Sequence, residues 1–463
     1  MTPTQESASV EAGGYDTVPL VRTEVPGPRS QALWDRDAAH HAANSSPAAQ
    51  FLRLVLRDGR GAAVRDVDGN TFIDFSSGAV VANLGHCPGP VVEALQHQAS
   101  QLIHYFDFAT PPRAPFFEAL ARTLPPELQT FQMYSTGSEA VEAALRLAKS
   151  YTKRYEVISF HRAWHGRTLG SMSLMGGFPL KWRYGPFAPG VMHSPSAYCY
   201  RCSLDLTPDS CAVACARQVD RTYEESSEHQ LAAVIIEPVQ GIGGVIPQPA
   251  EFLSHLRQFC DRTGALLIFD EILTGVGRTG TMWAFEHAGV VPDILLVGKG
   301  VASGYPISLL ASRREVLDAR PFGAPGAGAS TFASGNLACA AGLATLQMLE
   351  DGTIIDRARS VGATMLGALT DLQDRHDMIG DVRGIGLLMA LELVTDRATK
   401  SRIPPETARR LLIALANRGV LTAGAAPILR LTPPLVISED MALRGVALLD
   451  EALSEVEQAE GGP

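Results

Sequence analysis

The chain has 463 residues, of which 46% are hydrophobic and 19% charged, enough for a sizeable core spread over roughly two or three domains. Its net charge of −10 argues against nucleic acids and anionic membranes as partners. No apolar run reaches the length of a membrane span, and the first residues lack the basic and apolar regions of a secretory signal, so we expect a cytoplasmic protein.

The N-terminal part of the sequence predicts an arm followed by a hairpin. Residues 1–45 are rich in Pro, Ser, Gly and Ala with weak periodicity, so we expect a flexible arm that reaches toward a partner subunit. Residues 61–78 alternate between polar and apolar and contain the turn Asp68-Gly69, which predicts a β-hairpin. We assign residues 46–90 to a segment that contributes to the smaller of two domains.

A small, hydroxylated segment precedes a strong helix-forming run. It reads Ser135-Thr136-Gly137-Ser138, and the free N–H groups and positive dipole end of a helix N-terminus suit a phosphate group. An ordinary capping box on Ser138, with acidic residues just after it, is the commoner explanation. The segment becomes a phosphate-site candidate only beside other cofactor-binding residues.

A predicted strand, Val157–Phe160, leads into a loop that contains Trp164, His165 and Gly166. An aromatic ring at the carboxyl end of a strand can stack on a planar cofactor. A tryptophan of the core or surface explains the same pattern, and taken alone Trp164 favours that simpler interpretation.

Four of the seven cysteines lie in one segment, spaced C-x2-C-x8-C-x3-C between Cys199 and Cys215. An odd total in a long chain does not predict a disulfide framework. The spacing fits no standard zinc module, so we predict an insertion loop with reduced or redox-sensitive thiols and no metal, although four cysteines can in principle ligate one.

Three apolar runs without alternation end in ionisable residues, Glu237, Asp270 and Lys299, and the first two runs are separated by a predicted helix at 250–262. This order of strands and helices predicts βαβ units and a mainly parallel sheet, so the fold class is α/β. Ligands of open α/β sheets bind at the carboxyl ends of the strands. Asp270 and Lys299 should therefore point into one crevice.

A lysine and an aspartate in such a crevice are the pair that pyridoxal 5′-phosphate (PLP) chemistry requires. The lysine can form a Schiff base, and the aspartate can hold the protonated ring nitrogen. A structural salt bridge at the end of a sheet is the alternative for this pair alone.

The pattern changes near residue 340, where a long helix begins and strand-like runs follow, one of them containing Arg430. We therefore predict a large cofactor-binding domain over residues 91–339. A smaller α+β domain is predicted over residues 340–463.

Nine stretches between Gly61 and Leu435 occur in the order typical of class III aminotransferases. This PLP family of fold type I includes the 4-aminobutyrate and ornithine aminotransferases. The stretches are DGNTFIDFSSG, STGSEAVEAA, AWHGRT, IIEPVQG, LLIFDEILTGVGRTG, PDILLVGKG, TFASGN, VRGIGLLMALEL and LRLTPPL. The chain resembles this family over about four-fifths of its length.

The resemblance implies a role for each cofactor residue. Lys299 matches the lysine that binds PLP covalently, and Asp270 matches the carboxylate on the pyridine nitrogen. Gly137 and Ser138 match the phosphate-binding segment, and Trp164 matches the aromatic residue that stacks on the ring.

The resemblance also implies substrate and partner contacts. Glu237 matches an acidic residue near the substrate amine and the cofactor, and Arg430 matches the arginine that binds a substrate carboxylate. Thr331 matches a hydroxyl that reaches the phosphate of the neighbouring subunit's cofactor, which implies a homodimer with sites at the interface.

The sequence departs from the family pattern at three places. Ile242 occupies a position where relatives often have a glutamate that pairs with the carboxylate-binding arginine. Leu273 replaces a common glutamine near the cofactor's phenolic oxygen. The proline usual after Asn336 is missing, so the alignment around Thr331 could shift by one residue.

The predicted reaction is transfer of an amino group from a small amino-acid donor to a carbonyl acceptor. One version of this hypothesis is an oxidised amino sugar as acceptor, in aminoglycoside antibiotic biosynthesis. A PLP-dependent epimerase or racemase on the same scaffold is the alternative, and a non-catalytic binding protein of this fold is a third hypothesis, against which Lys299 and Asp270 argue.

Overall fold

The computed structural model describes residues 15, 17–177, 179–333, 335–425 and 427–460, with only the backbone described at Ala425. Two large β-sheets and a small two-stranded one organise these residues. The strands are Leu56–Arg60 (β1), Ala63–Asp66 (β2), Thr71–Phe75 (β3), Thr130–Tyr134 (β4), Glu156–Phe160 (β5), Val191–Ser194 (β6), Leu231–Ile236 (β7), Val239–Gln240 (β8), Ile246–Pro247 (β9), Leu266–Asp270 (β10), Ile294–Gly298 (β11), Ser308–Ser312 (β12), Ile379–Ile385 (β13), Leu388–Asp396 (β14), Ser401–Arg402 (β15), Val420–Ala425 (β16) and Ile428–Leu431 (β17).

Helices surround both large sheets, and none of those within the described ranges is long and apolar enough to cross a bilayer. The helices are Pro28–Ala38 (α1), Pro47–Leu52 (α2), Ser77–Val80 (α3), Gly89–Ala99 (α4), Arg113–Arg122 (α5), Gly137–Thr152 (α6), Leu169–Ser173 (α7), Pro208–Cys211 (α8), Ala214–Ser226 (α9), Ala250–Thr263 (α10), Arg314–Leu317 (α11), Asn336–Leu349 (α12), Thr353–Arg375 (α13), Pro405–Asn417 (α14) and Glu439–Glu460 (α15).

The first sheet has seven strands in the order β4-β12-β11-β10-β7-β5-β6. Only β12 runs antiparallel to its neighbours; the other strands are parallel to one another. Successive residues of β10 pack on opposite faces, Ile268 in the core with α6 and Phe269 in the core with α10 and α12. Because both faces are covered, both sets of side chains are apolar, which explains the unalternating runs and confirms the predicted α/β class.

The second sheet combines strands from both ends of the chain, in the order β1-β2-β3-β16-β17-β14-β13, with β15 on β14. Strands β3 and β16 are parallel, and the other pairs are antiparallel. The predicted hairpin over 61–78 is the β2–β3 pair, with Arg65 opposite Thr71. Helices α13, α14 and α15 pack on this sheet around one apolar core. The boundaries proposed at residues 90 and 339 stay predictions.

Part of the segment predicted as a flexible arm lies against the hairpin. Leu20 forms a bridge with Thr71, and the side chain of Asn70 accepts hydrogen bonds from the backbone of Arg22 and Thr23 at 2.7 and 3.0 Å. Residues 28–38 form helix α1. Residues 1–14 and 16 lie outside the described residues.

The cysteine-rich segment forms a short turn at Cys199–Arg201 followed by α8 and the start of α9. All seven cysteines are free thiols. Among the described residues, no group of three or more His, Cys, Asp or Glu side chains is arranged to hold a metal ion.

Substitution by alanine should have opposite effects on stability at two glycines of α13. A Cβ at buried Gly362 would overlap the backbone carbonyl of Gly386, whereas nothing lies within 4 Å of a Cβ at exposed Gly367. We expect Gly362→Ala to lower the free energy of unfolding by about 1–3 kcal/mol through the clash. Gly367→Ala should raise it by about 0.5–1 kcal/mol, the usual helix preference for alanine.

Urea denaturation followed by circular dichroism measures both changes, with Gly367→Ala as the matched control for the substitution itself. Equal effects of the two variants would contradict the close packing of α13 against the turn at Gly386.

Candidate active site

A cavity of about 430 Å³ opens at the carboxyl ends of β5, β7, β10 and β11, next to the start of α6. Its position follows from the parallel strands, whose carboxyl ends share one edge of the sheet. Six of the eight residues to which the family resemblance gave a role line this cavity: Gly137, Ser138, Trp164, Glu237, Asp270 and Lys299.

Lys299 follows the last residue of β11 and has a left-handed backbone, with φ of 43°. Such a conformation is strained for a residue with a side chain and often occurs at functional sites. Burial lowers the pKa of the Lys299 amine to about 8, because it disfavours the ammonium form. The nearby Asp270 carboxylate opposes that shift, and the guanidinium of Arg430 adds to it.

Asp270 ends β10, and its carboxylate is held on both oxygens. Oδ2 lies 2.8 Å from Nδ1 of His165, and Oδ1 accepts the backbone N–H of Ile272 at 3.1 Å. The side chain of His165 is completely buried, and its Nε2 has no hydrogen-bond partner among the described residues. His165 thus fixes the orientation of the carboxylate, a role that the sequence did not assign to it.

Glu237 follows β7 and accepts backbone N–H groups from both sides, Trp164 at 2.8 Å and Gly241 at 2.9 Å. Burial raises the pKa of its carboxyl to about 7, and the charge of Asp270 adds to the rise while His165 opposes it. A carboxyl group with this pKa can change protonation state near neutral pH.

The start of α6 is capped by Thr136 and Glu139, not by Ser138 as the capping-box interpretation supposed. Glu139 accepts the backbone N–H groups of Ser135 and Thr136 at 3.1 and 2.9 Å. The N–H groups of Gly137 and Ser138 follow this cap and have no acceptor within the helix. Both residues line the cavity, so these donors and the positive end of the helix dipole are available to an anion.

Arg430 and Thr331 do not line the cavity. Arg430 lies on β17 opposite Ala390 and Ala423, and its guanidinium forms no ion pair or hydrogen bond with the side chains and carbonyls that the structure describes. Burial lowers the pKa of Arg430, and Glu237 opposes this shift. Thr331 is exposed, on a loop whose Ser330 donates to the Glu139 carboxylate at 3.1 Å.

An apolar wall completes the cavity, formed by Val81, Ile242, Ile272, Leu273 and Ile307. The sequence drew attention to Ile242 and Leu273 as departures from a family pattern. It gave no sign of the other three, because apolar residues in loops are common and only tertiary packing places them here.

Comparisons with known proteins agree with this geometry. The family model described as Aminotransferase class-III matches residues 44–453. A 4-aminobutyrate aminotransferase of Mycobacterium leprae is 36% identical over 443 residues, 94% of this chain and 97% of that protein. An isoleucine 2-epimerase of Lentilactobacillus buchneri is 34% identical over 440 residues, 93% of this chain and 96% of that protein.

A solved transaminase structure also resembles this chain. The PLP-bound amine transaminase of an uncultivated Pseudomonas species superposes with a TM-score of 0.85 at 32% identity, over 90% of this chain and 98% of that one.

The Lys299 amine should be an unusually good nucleophile in ligand-free protein. Its labelling by an amine-reactive reagent, followed by peptide mass spectrometry across pH, should give a pKa near 8. Asp270→Asn removes an anion that favours the ammonium, so this pKa should fall further. Asp261→Asn, on the exposed side of α10, is the control and should leave it unchanged. A raised pKa in Asp270→Asn would refute the electrostatic role of Asp270.

Proposed function

The chain belongs to the class-III aminotransferases, a family of PLP-dependent enzymes, and we propose that it transfers an amino group from a carboxylate-bearing donor to a carbonyl acceptor in the 430 Å³ cavity. The observation that carries this proposal is the buried Lys299 amine, which lines the same cavity as the His165-anchored carboxylate of Asp270.

The residues of the cavity fit PLP. Lys299 would bind its aldehyde carbon, Asp270 its ring nitrogen, Trp164 the face of its ring, and the free N–H groups of Gly137 and Ser138 its phosphate. When bound, PLP acts as an electron sink that makes a proton on the substrate carbon removable.

Lys299 is the proposed proton carrier. With a pKa near 8, an appreciable fraction of Nζ is neutral near physiological pH, so it can accept a proton from the substrate carbon and return one later. Asp270 favours a protonated ring nitrogen through its negative charge, and His165 prevents the carboxylate from rotating away. Glu237 supplies a carboxyl near the substrate amine.

Substrate selection is assigned to Arg430 and Ile242. The mostly buried guanidinium of Arg430 has no acidic partner bonded to it among the described residues, so a donor carboxylate can take that place. Ile242 offers no competing carboxylate within the cavity. For the acceptor we propose an oxidised amino sugar of aminoglycoside antibiotic biosynthesis, because a net charge of −10 favours a cationic product.

An epimerase or racemase is the second candidate, supported by the 34% identity to an isoleucine 2-epimerase. Such an enzyme returns the proton to the opposite face of the same carbon and needs no second substrate. It would use the same lysine, aspartate and cofactor residues, so the site geometry is compatible with both reactions.

We propose that the working unit is a homodimer. Four aromatic or aliphatic side chains stand well exposed near the start of α6: Ile103, Tyr105, Phe108 and Phe332, each 58–66% exposed. The ring centroids of His104 and Phe332 are 4.8 Å apart, so the segment 103–108 and the loop of Phe332 form one apolar patch. A second copy would cover this patch, and the adjacent Thr331 would then reach the other subunit's phosphate site.

An absorbance titration with candidate amino donors tests the reaction. Conversion of the cofactor to its pyridoxamine form with release of a keto acid is expected, and Lys299→Ala should abolish turnover. Lys153→Ala, outside the cavity, is the matched control. Deuterium incorporated from heavy water into a donor of inverted configuration, without pyridoxamine, would establish the epimerase instead.

The role of Arg430 predicts that its substitution weakens the binding of amino donors with a carboxylate and spares donors without one. Arg430→Lys loses the two parallel hydrogen bonds to a carboxylate and should raise KM for L-glutamate roughly 10- to 100-fold. KM for isopropylamine, which has no carboxylate, should hardly change. Ile242→Glu, which offers Arg430 an internal anion, should also raise KM for L-glutamate. An unchanged KM for L-glutamate in Arg430→Lys would refute the assignment.

A further inference from the structure

Arg383 on β13 joins the second sheet to a loop of the cavity. Its Nε donates to the backbone carbonyls of Gly244 and Val245, at 2.9 and 3.1 Å. Its Nη2 lies 2.9 Å from the carboxylate of Glu392, and its Nη1 lies 2.5 Å from that of Asp381. All three nitrogens of the planar guanidinium thus form a hydrogen bond or an ion pair, which leaves the side chain little freedom of movement.

Glu392 on β14 is the buried centre of this cluster, with a side chain only 1% exposed. It also accepts hydrogen bonds from the hydroxyl of Tyr198 and from Nε of Arg201, the latter at 2.5 Å. Arg201 belongs to the cysteine-rich segment and Tyr198 directly precedes it, and the function so far assigns nothing to either residue. A buried carboxylate with three donors is costly to disturb, because any lost partner leaves charge unpaired.

The ring of Tyr198 is held between two arginines. The guanidinium carbons of Arg162 and Arg383 lie 4.6 and 5.0 Å from its centre. Cation–π contacts of this kind are stronger when desolvated. Through Tyr198 and Arg201, the start of the cysteine-rich segment therefore acts as a brace, which here means that it holds the side chains of Arg383 and Glu392 in place.

The loop that Arg383 holds, Gly241–Val245, is clamped at both ends. Its first N–H donates to Glu237, and its last two carbonyls accept from Arg383. A Cβ at Gly243 would overlap the carbonyl of Arg162, so the backbone is in close contact there. Ile242 lies between these anchors and lines the cavity.

We propose that Arg383 is a positioning residue that determines specificity: with Glu392 it fixes the Gly241–Val245 loop, so that Ile242 is a rigid apolar wall of the substrate cavity. This wall selects substrates that place an apolar, uncharged group against the side chain of Ile242. The inference rests on the proposed function only in that the substrate occupies this cavity.

Amide hydrogen exchange of the purified protein tests the positioning without turnover. The variants are Arg383→Lys, which keeps a charge for Glu392 but cannot reproduce the fork, and Arg383→Gln combined with Glu392→Gln, which removes both charges of the Arg383–Glu392 pair together. Arg409→Gln, at an exposed arginine paired with Glu406, is the control. We expect exchange in a peptide covering 241–245 to accelerate at least about 10-fold in both variants, with exchange at the start of α6 unchanged.

Unchanged exchange in the loop would overturn the proposal. An equal acceleration throughout the protein in both variants would do so too, because it would show a general loss of stability rather than release of one loop.

A double-mutant cycle tests the specificity. The rates at which L-alanine and L-leucine exchange their α-hydrogen with heavy water give a discrimination ratio in either an aminotransferase or an epimerase, so the outcome is independent of which reaction follows. We expect Arg383→Lys to change this ratio roughly 5-fold or more, and to have no effect on it in an Ile242→Ala background. Equal effects in both backgrounds would show that Arg383 does not act through Ile242.

Discussion

The withdrawal of the Lys299 amine from water, next to an anchored carboxylate, is the interaction on which the site depends. Burial, together with the charges of Arg430 and Arg278, lowers the pKa of the amine, and Asp270 limits the fall to about 8. The balance keeps the amine near the point where it can both accept and donate a proton. His165 maintains this balance, because a rotated Asp270 carboxylate would change the electrostatic field at Nζ.

The two large sheets contribute different residues to the site and its surroundings. The first sheet brings the ends of β7, β10 and β11 to one edge, and the second sheet carries Arg430 on β17 and Arg383 on β13. A further buried arginine ties the two halves together: Arg278 donates to the carbonyl of Leu387 and to the side chain of Asn83, at 3.0 and 2.8 Å. Burial lowers its pKa to about 9, and its charge also disfavours the ammonium of Lys299.

Membership of the family accounts for the PLP cofactor, and the proposed selection of the substrate depends on the residues around it. In the proposed function, substrate selection depends on two features: the guanidinium of Arg430, which has no acidic partner bonded to it among the described residues, and the apolar side chain of Ile242 in the cavity wall. Hydrogen bonds from both sides fix the loop that carries Ile242, so the proposed apolar wall depends on the backbone as well as on one side chain.

The sequence by itself determined the α/β class, the β2–β3 hairpin, the family, and the residues that end the buried strands. These depend on local patterns: unalternating apolar runs indicate strands covered on both faces, and a turn dipeptide indicates a hairpin. Only the tertiary structure decided that His165 meets Asp270 across 105 positions of chain, that Thr136 and not Ser138 caps α6, and that the cysteine-rich segment braces Glu392. The physical reason is that burial, pKa values and side-chain hydrogen bonds depend on neighbours distant in sequence, which local periodicity does not specify.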